Sequence, residues 1–346
     1  MKARRAILLV SLTIGAMTTR AAGPASPPDF REIYSLVRSN LAGATAGQVD
    51  SATIEGLTNQ FSGRVSVVDA APEASNALKP ALARTAIYDG VYAYFQVASV
   101  TPDLPGELRQ SWKSLEETNK APIKGVILDL RFADGGDFTA AGETADCFLS
   151  TGQTLLEWPG KTISSVKKDD AITAPVAILV DDKTSGASEA LAAVLRATDR
   201  ALTVGARTAG QASIFKRFQL SNGQELRIAV ADVKLAGGPS LAEGVTPDIP
   251  VDSTLAQDRS YLDNPYHVIG AGTNAAGEPT NQPLRRFNEA ELVREQRAGL
   301  NPGEELDATP TAQSEAPGPP VIVDPALARA LDLLKGLNVL NRSRPG

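Results

Sequence analysis

The sequence predicts an α/β protein, a mostly parallel sheet covered by helices, with N-terminal helices and a C-terminal helix added to it. Gly125-Val126-Ile127-Leu128-Asp129-Leu130-Arg131 and the run 176–180 are continuous apolar segments, the composition of strands buried on both faces. A helical pattern follows each, over 138–149 and 186–198, and a third apolar run stands at 201–204. Strand, helix, strand, helix, strand at this spacing is the order that builds a parallel sheet.

The elements follow in order. Phe30, Tyr34, Val37 and Leu41, then Ile54, Leu57 and Phe61, fall at helical spacing, so two helices are expected around an Ala/Gly/Thr-rich turn at 42–47. Residues 67–84 are polar and contain proline, and are expected to be a linker. The stretch 91–97 is rich in Tyr, Phe and Val and reads as a strand. Leu108, Trp112 and Leu115 mark the buried face of the next helix, which makes Trp112 a core residue. The turn Ala133-Asp134-Gly135-Gly136 suits glycine conformations and leads into helix 138–149, where Cys147 beside Phe148 reads as a small buried residue. Strands 214–220 and 225–233 flank Ser221-Asn222-Gly223 and pair as a hairpin.

Beyond residue 251 the pattern dissolves, and 301–320, rich in Pro, Glu, Thr and Ser, has the composition of a disordered linker. Order is expected to return at Asp324, a helix cap with Pro325 in the first turn and Leu327, Leu331, Leu334 and Leu337 on one stripe.

A chain of 346 residues, 42% of them hydrophobic, buries one substantial core with appendages. Lys2, Arg4 and Arg5, a 12-position apolar run at 6–17, and the small residues Ala21 and Ala22 match a secretory signal peptide. The run falls short of the roughly 20 positions that span a bilayer, so no stable membrane anchor is expected and the protein is expected to be exported, periplasmic or extracellular. Removing residues 1–22 leaves 30 bases against 40 acids, a sign that disfavours nucleic acid and anionic membrane as partners.

The chemistry narrows by exclusion. Neither G-x-G-x-x-G nor a phosphate loop occurs, so no nucleotide cofactor is indicated. The single cysteine rules out an internal disulfide and a Cys-rich metal site. Asp134 and Asp137 lack calcium-loop spacing and read as solvated caps. His267 is the only histidine and sits in an irregular stretch, which argues against a Ser-His-Asp triad. No cofactor and no metal is expected.

Four motifs then stand in order: Lys124 to Arg131 with Gly135-Gly136; Ser185-Gly186-Ala187-Ser188-Glu189-Ala190-Leu191; Val204-Gly205 with Thr208-Ala209-Gly210; and Glu243-Gly244-Val245-Thr246-Pro247-Asp248. In this order they resemble the tail-specific, or carboxyl-terminal processing, peptidases. The resemblance implies a ClpP/crotonase-like core over 85–252, with flanking regions at 28–66, 67–84, 253–323 and 324–340. It also implies a Ser-Lys dyad, in which a neutral lysine takes the proton of the serine that attacks the peptide carbonyl, with backbone N–H groups holding the oxyanion.

At the two dyad positions this sequence departs from the family. Counting back from Glu189 puts the nucleophile position at Gly186, and counting on from Gly205 puts the general-base position at Gln211. Glycine has no nucleophile, and a carboxamide is not basic near neutral pH. Gly135, Gly136 and the N–H of Ala187 are the matching oxyanion and peptide-binding positions. Glycine is only a few tenths of a kcal/mol worse than serine as an N-cap, so the helix tolerates the change. Where the family carries a PDZ module, only the short stretch 67–84 is present.

Three functions remain open on the sequence. One is a non-hydrolysing homologue that binds a peptide or unfolded protein segment. Another is an active serine endopeptidase with a displaced dyad, with Ser185 or Ser188 as nucleophile and Lys183, Lys216 or Lys124 as the amine. The third is an extracytoplasmic scaffold. Substrate, partner identity and oligomeric state are not written in the sequence.

Overall fold

The computed structural model describes residues 28–69, 80–266 and 322–342. The segment 1–22, His267 and the stretch 301–320 lie outside the described residues. The chain divides into two compact units, residues 1–60 and 61–346.

In the first unit, α1 (Phe30–Asn40) and α2 (Ala46–Gln60) form a helical hairpin. Asp29 caps α1 by accepting the N–H of Arg31 at 3.0 Å, which satisfies one of the helix's free donors. Asp50 on α2 joins the helices: it accepts from Tyr34 Oη at 2.6 Å and from Arg38 Nε at 2.8 Å.

The second unit contains, in chain order, β1 (Val65–Asp69), β2 (Leu82–Tyr88), β3 (Tyr92–Val97), β4 (Ser99–Val100), α3 (Leu104–Thr118), β5 (Gly125–Asp129), β6 (Asp134–Gly135) and α4 (Phe138–Asp146). These are followed by β7 (Thr154–Trp158), β8 (Lys161–Ser164), β9 (Val176–Val180), α5 (Ala187–Ala197), β10 (Ala201–Gly205), β11 (Ser213–Gln219) and β12 (Gln224–Asp232). The last are β13 (Lys234–Leu235), β14 (Ile249–Pro250), α6 (Leu255–Asp263) and α7 (Pro325–Arg342).

The central sheet has the order β14-β10-β9-β5-β3-β2. Every neighbouring pair is parallel except β2 with β3. Its register sets Val126 against Val176 and Val176 against Ala201. Val126, Ile127 and Leu128 are fully buried, which is why an unbroken apolar run was needed there. Each contributes roughly 1.5–3 kcal/mol on burial. Helices α3, α4 and α5 contribute Leu108, Ala141 and Leu191 to the core on one face, while α7 lays Leu327, Leu331 and Leu334 on the other beside Tyr94, Ile127 and Leu179. Trp112 packs half-buried against the core and Cys147 is buried at the end of α4.

Two expectations are corrected. The stretch 67–84, expected as a linker, instead ends β1 and begins β2: β1 pairs with β12 and β2 with β3, so half-buried ladders form where the local pattern is weak. Within 253–323, expected to be irregular, α6 spans Leu255–Asp263, started by a capping box in which Thr254 and Gln257 satisfy each other's backbone N–H.

A buried ion cluster fixes the end of β5. The guanidinium of Arg131 meets Asp129 at 2.6 Å, Asp324 at 2.8 Å and Asp258 at 3.5 Å. Asp324 also accepts the N–H groups of Ala326 and Leu327, so the cap of α7 and the anchor of β5 are one carboxylate. Arg131 leads directly into the turn that builds the site.

Candidate active site

The site forms where β5, β9 and β10 end, the side of an open parallel sheet where loops converge. After β9, Asp181 turns the chain: it accepts the N–H of Phe132 at 3.1 Å, the N–H of Thr184 at 2.7 Å and that of Lys183 at 3.1 Å. Burial raises its carboxyl pKa above the ordinary value, against the pull of these donors. Phe132 is held at φ 58°, an uncommon conformation for a bulky residue.

Gly186 follows as the N-cap of α5, at φ 63° and ψ −122°. This backbone suits glycine, and a side chain there is strained whatever the space. There is also no space: a Cβ on Gly186 would fall on the carbonyl oxygen of Gly135, well inside van der Waals contact. The position that the resemblance assigns to a nucleophile thus bears no side chain, and the space a Cβ would take is filled by backbone.

Gly135 and Gly136 differ. Gly135 lies in β6, at φ 146°, and a Cβ there would stand 2.7 Å from the carbonyl oxygen of Val100. Gly136 faces open space and is exposed. Ala187 is buried as the first residue of α5.

Glu189 connects the parts. Fully buried, it accepts from Thr208 Oγ1 and the N–H of Gly210, both at 2.6 Å, through Oε1. Through Oε2 it accepts the N–H of Gly186 at 2.9 Å and that of Gln211 at 2.7 Å. Burial pushes its carboxyl pKa upward, and the four donors oppose that without cancelling it. The turn at Thr208 to Gln211 is backed by the last motif: Val245 donates its N–H to Thr208 Oγ1 at 2.8 Å, and Asp248 accepts from both the N–H and the hydroxyl of Thr203.

The structure brings Gly186, Gln211, Gly135 and Ala187 together, and among the described residues no hydrogen bond joins Ser185 or Ser188 to Lys183, Lys216 or Lys124. Ser188 Oγ is buried and donates to the carbonyl of Asp134 at 2.7 Å, while Ser185 gives its N–H to Ala133 at 3.0 Å. Lys183 pairs with Asp182 at 3.7 Å, and Lys216 Nζ lies over the ring of Phe218. Lys124 stands before β5, at the opposite end of that strand from the site. Sequence reasoning passed over Asp181, whose signal was an aspartate closing an apolar strand two residues before a lysine and three before a threonine.

A cavity of about 590 Å³ opens between β7 and β12, lined by Glu157, Trp158, Val230, Asp232 and Lys234. The Trp158 ring packs on Phe138, the first residue of α4, with centroids 6.0 Å apart. Neither this cavity nor one of about 640 Å³ around Arg109, Trp112 and Cys147 includes any of the site positions.

Comparison with known proteins agrees with this geometry. Residues 91–251 match the model of peptidase family S41. The chain is 29% identical over 171 residues to carboxyl-terminal-processing peptidase 2, chloroplastic, of Arabidopsis thaliana, covering 48% of this chain and 33% of that protein. It is 27% identical over 186 residues to the carboxy-terminal processing protease CtpA of Bacillus subtilis (strain 168), covering 52% of this chain and 39% of that protein. The chain therefore spans well under half the length of these relatives. Among solved structures, one from Parabacteroides merdae matches with a TM-score of 0.51 at 15% identity, over 68% of this chain and 85% of that one, a likeness of fold alone. Residues 91–251 are thus similar to peptidase family S41, and the relatives that share this stretch are named carboxyl-terminal processing peptidases.

Proposed function

We propose that this chain is a non-hydrolysing S41 homologue, exported from the cytoplasm, whose groove binds an extended peptide or unfolded protein segment. The observation that carries this is the Gly186–Glu189–Gln211 linkage: both positions are held in place by their main chain, Gly186 has no side chain to attack with, and the carboxamide of Gln211 is not basic near neutral pH. The carbonyl of Gly135 in the space beside Gly186 adds to it, as does the engagement of Ser188 with Asp134.

Peptide binding needs only what remains. The Gly135-Gly136 turn, where Gly136 is exposed, offers main chain and not side chains to a ligand, so binding is tolerant of sequence. With little surface to bury, affinity is on the order of micromolar or weaker. The relatives' names make processing of carboxyl termini a property of those proteins, and a chain end is one form of the segment that this groove takes.

The test is calorimetry with unstructured peptides on the wild type and on Gly136→Val. Gly136 is the informative glycine because its Cβ meets nothing, whereas a side chain at Gly135 collides with Val100 and confounds folding with binding. Binding to the wild type, weakened in Gly136→Val at unchanged thermal stability, is the expected result. No binding to the wild type, or equal binding by both, removes the groove from the account.

A further inference from the structure

The three-stranded sheet of β1, β12 and β11 sets two like charges opposite each other. Its register pairs Ser66 with Arg227 and Arg227 with Arg217, so these three side chains form one row across the strands, on one side of the sheet. Like charges directly opposite destabilise a ladder. Arg217 is compensated by Glu225, which its guanidinium meets at 3.2 Å. Arg227 is not. Its Cζ lies 3.3 Å from the centre of the Phe215 ring, and among the described residues no carboxylate or carbonyl accepts from its N–H groups. The side chain is half-buried, and burial, followed by the charge of Arg217, holds it below the ordinary arginine range. The chain has 40 acidic side chains against 34 basic ones, so the missing counter-ion is a matter of placement and not of supply. A guanidinium that is stacked, partly desolvated and without an anion is a fixed fork of donors that fits a carboxylate.

We propose that Arg227, with Arg217 and Ser66 beside it, binds a carboxylate carried by the segment that the groove takes. This rests on the peptide-binding reading above, and it adds one acidic preference to a recognition of main chain that is otherwise tolerant of sequence. The strand β11 links the row to the groove. It starts two residues after Gln211, whose Cγ lies 3.8 Å from where a Cβ on Gly63 would stand, just before β1. Arg217 is six residues beyond Gln211, so the row stands roughly 20 Å from it along an extended strand. A segment running beside β11 therefore carries its carboxylate about six residues from the part that lies at Gln211. An acidic side chain and a chain's own terminal carboxylate present the same two oxygens to the fork.

The experiment is calorimetry on the full chain with three unstructured, otherwise uncharged peptides of one length. The first has an internal glutamate and an amidated end, the second glutamine and a free carboxyl end, the third glutamine and an amidated end. At least one carboxylate peptide is expected to bind the wild type about tenfold tighter than the neutral one, the scale of a charge-assisted hydrogen bond, and the tighter one names the source. The preference is expected to vanish in Arg227→Gln and to shrink in Arg217→Gln, whose side chain is 62% exposed and too open to carry the fold. Lys113→Gln, which removes the same charge from an exposed position on α3, is expected to keep it. Equal binding of all three peptides by the wild type, or a preference that survives Arg227→Gln, overturns the proposal and leaves the groove standing. If circular dichroism shows Arg227→Gln unfolded, Arg217→Gln decides, and an unchanged preference in it overturns the proposal. A preference that Arg227→Gln abolishes while Gly136→Val changes nothing keeps the carboxylate site and removes the groove. No binding by any peptide removes both.

Discussion

Gly186 and Gln211, on different loops, give their backbone N–H groups to the same oxygen, Glu189 Oε2, at 2.9 and 2.7 Å. One buried carboxylate therefore ties together the main chain of the two positions that the family resemblance assigns to a dyad, whatever side chains they bear.

Replacing Glu189 by Ala leaves the N–H groups of Gly186, Gly210 and Gln211 and the Thr208 hydroxyl without their acceptor in a buried place. A loss of about 3 kcal/mol or more is expected, since each unsatisfied buried group costs roughly 1–3 kcal/mol. Urea denaturation measures it, and a loss below 1 kcal/mol would show that water satisfies these groups.

The pH dependence of Glu189 has a definite sign. Its folded-state pKa is raised above the ordinary 4.5, so the stabilisation linked to its proton is fully present below 4.5 and is lost as pH rises through the raised value. The stability of the wild type relative to Glu189→Gln should therefore decline as pH is raised from 4 through that window. Melting curves of the two proteins check this, and a wild-type advantage that grows with pH contradicts it.

Restoring the dyad side chains is not expected to restore hydrolysis. In Gly186→Ser/Gln211→Lys the serine must adopt φ 63° and displace the carbonyl of Gly135. The strain is about 1–3 kcal/mol at Gly186 alone. A casein-cleavage assay with a parallel melt tests it: activity at background and a lowered Tm are expected, and clear hydrolysis would mean that the Gly135 peptide yields.

Arg131→Met should cost about 3–5 kcal/mol, because it strands the buried carboxylates of Asp129 and Asp324. The damage should concentrate in α7, which Asp324 caps, and hydrogen exchange across residues 325–340 reads it. Unchanged protection there would detach the cluster from the docking of α7.

Much of the core was legible because β5 and β9 are buried on both faces and had to be apolar throughout, and because Asp137 and Asp324 cap their helices by local rules. The ladder of β1 was not legible: its pairing with β12 is a contact remote in sequence and only half-buried. The helix α6 buries only Asp258 and Tyr261, so its apolar periodicity was faint although its capping box was present. The motifs singled out Gly186 and Gln211 through the family resemblance. Their joint attachment to Glu189 and the difference between Gly135 and Gly136 depend on backbone geometry that residue types do not encode.

Labelling of the wild-type protein with a fluorophosphonate probe, read by intact mass, tests the central claim most directly. The account predicts no adduct, since Gly186 offers no hydroxyl and Ser188 donates its own to Asp134. An adduct that disappears on Ser185→Ala or Ser188→Ala would contradict it and make the chain a working serine peptidase.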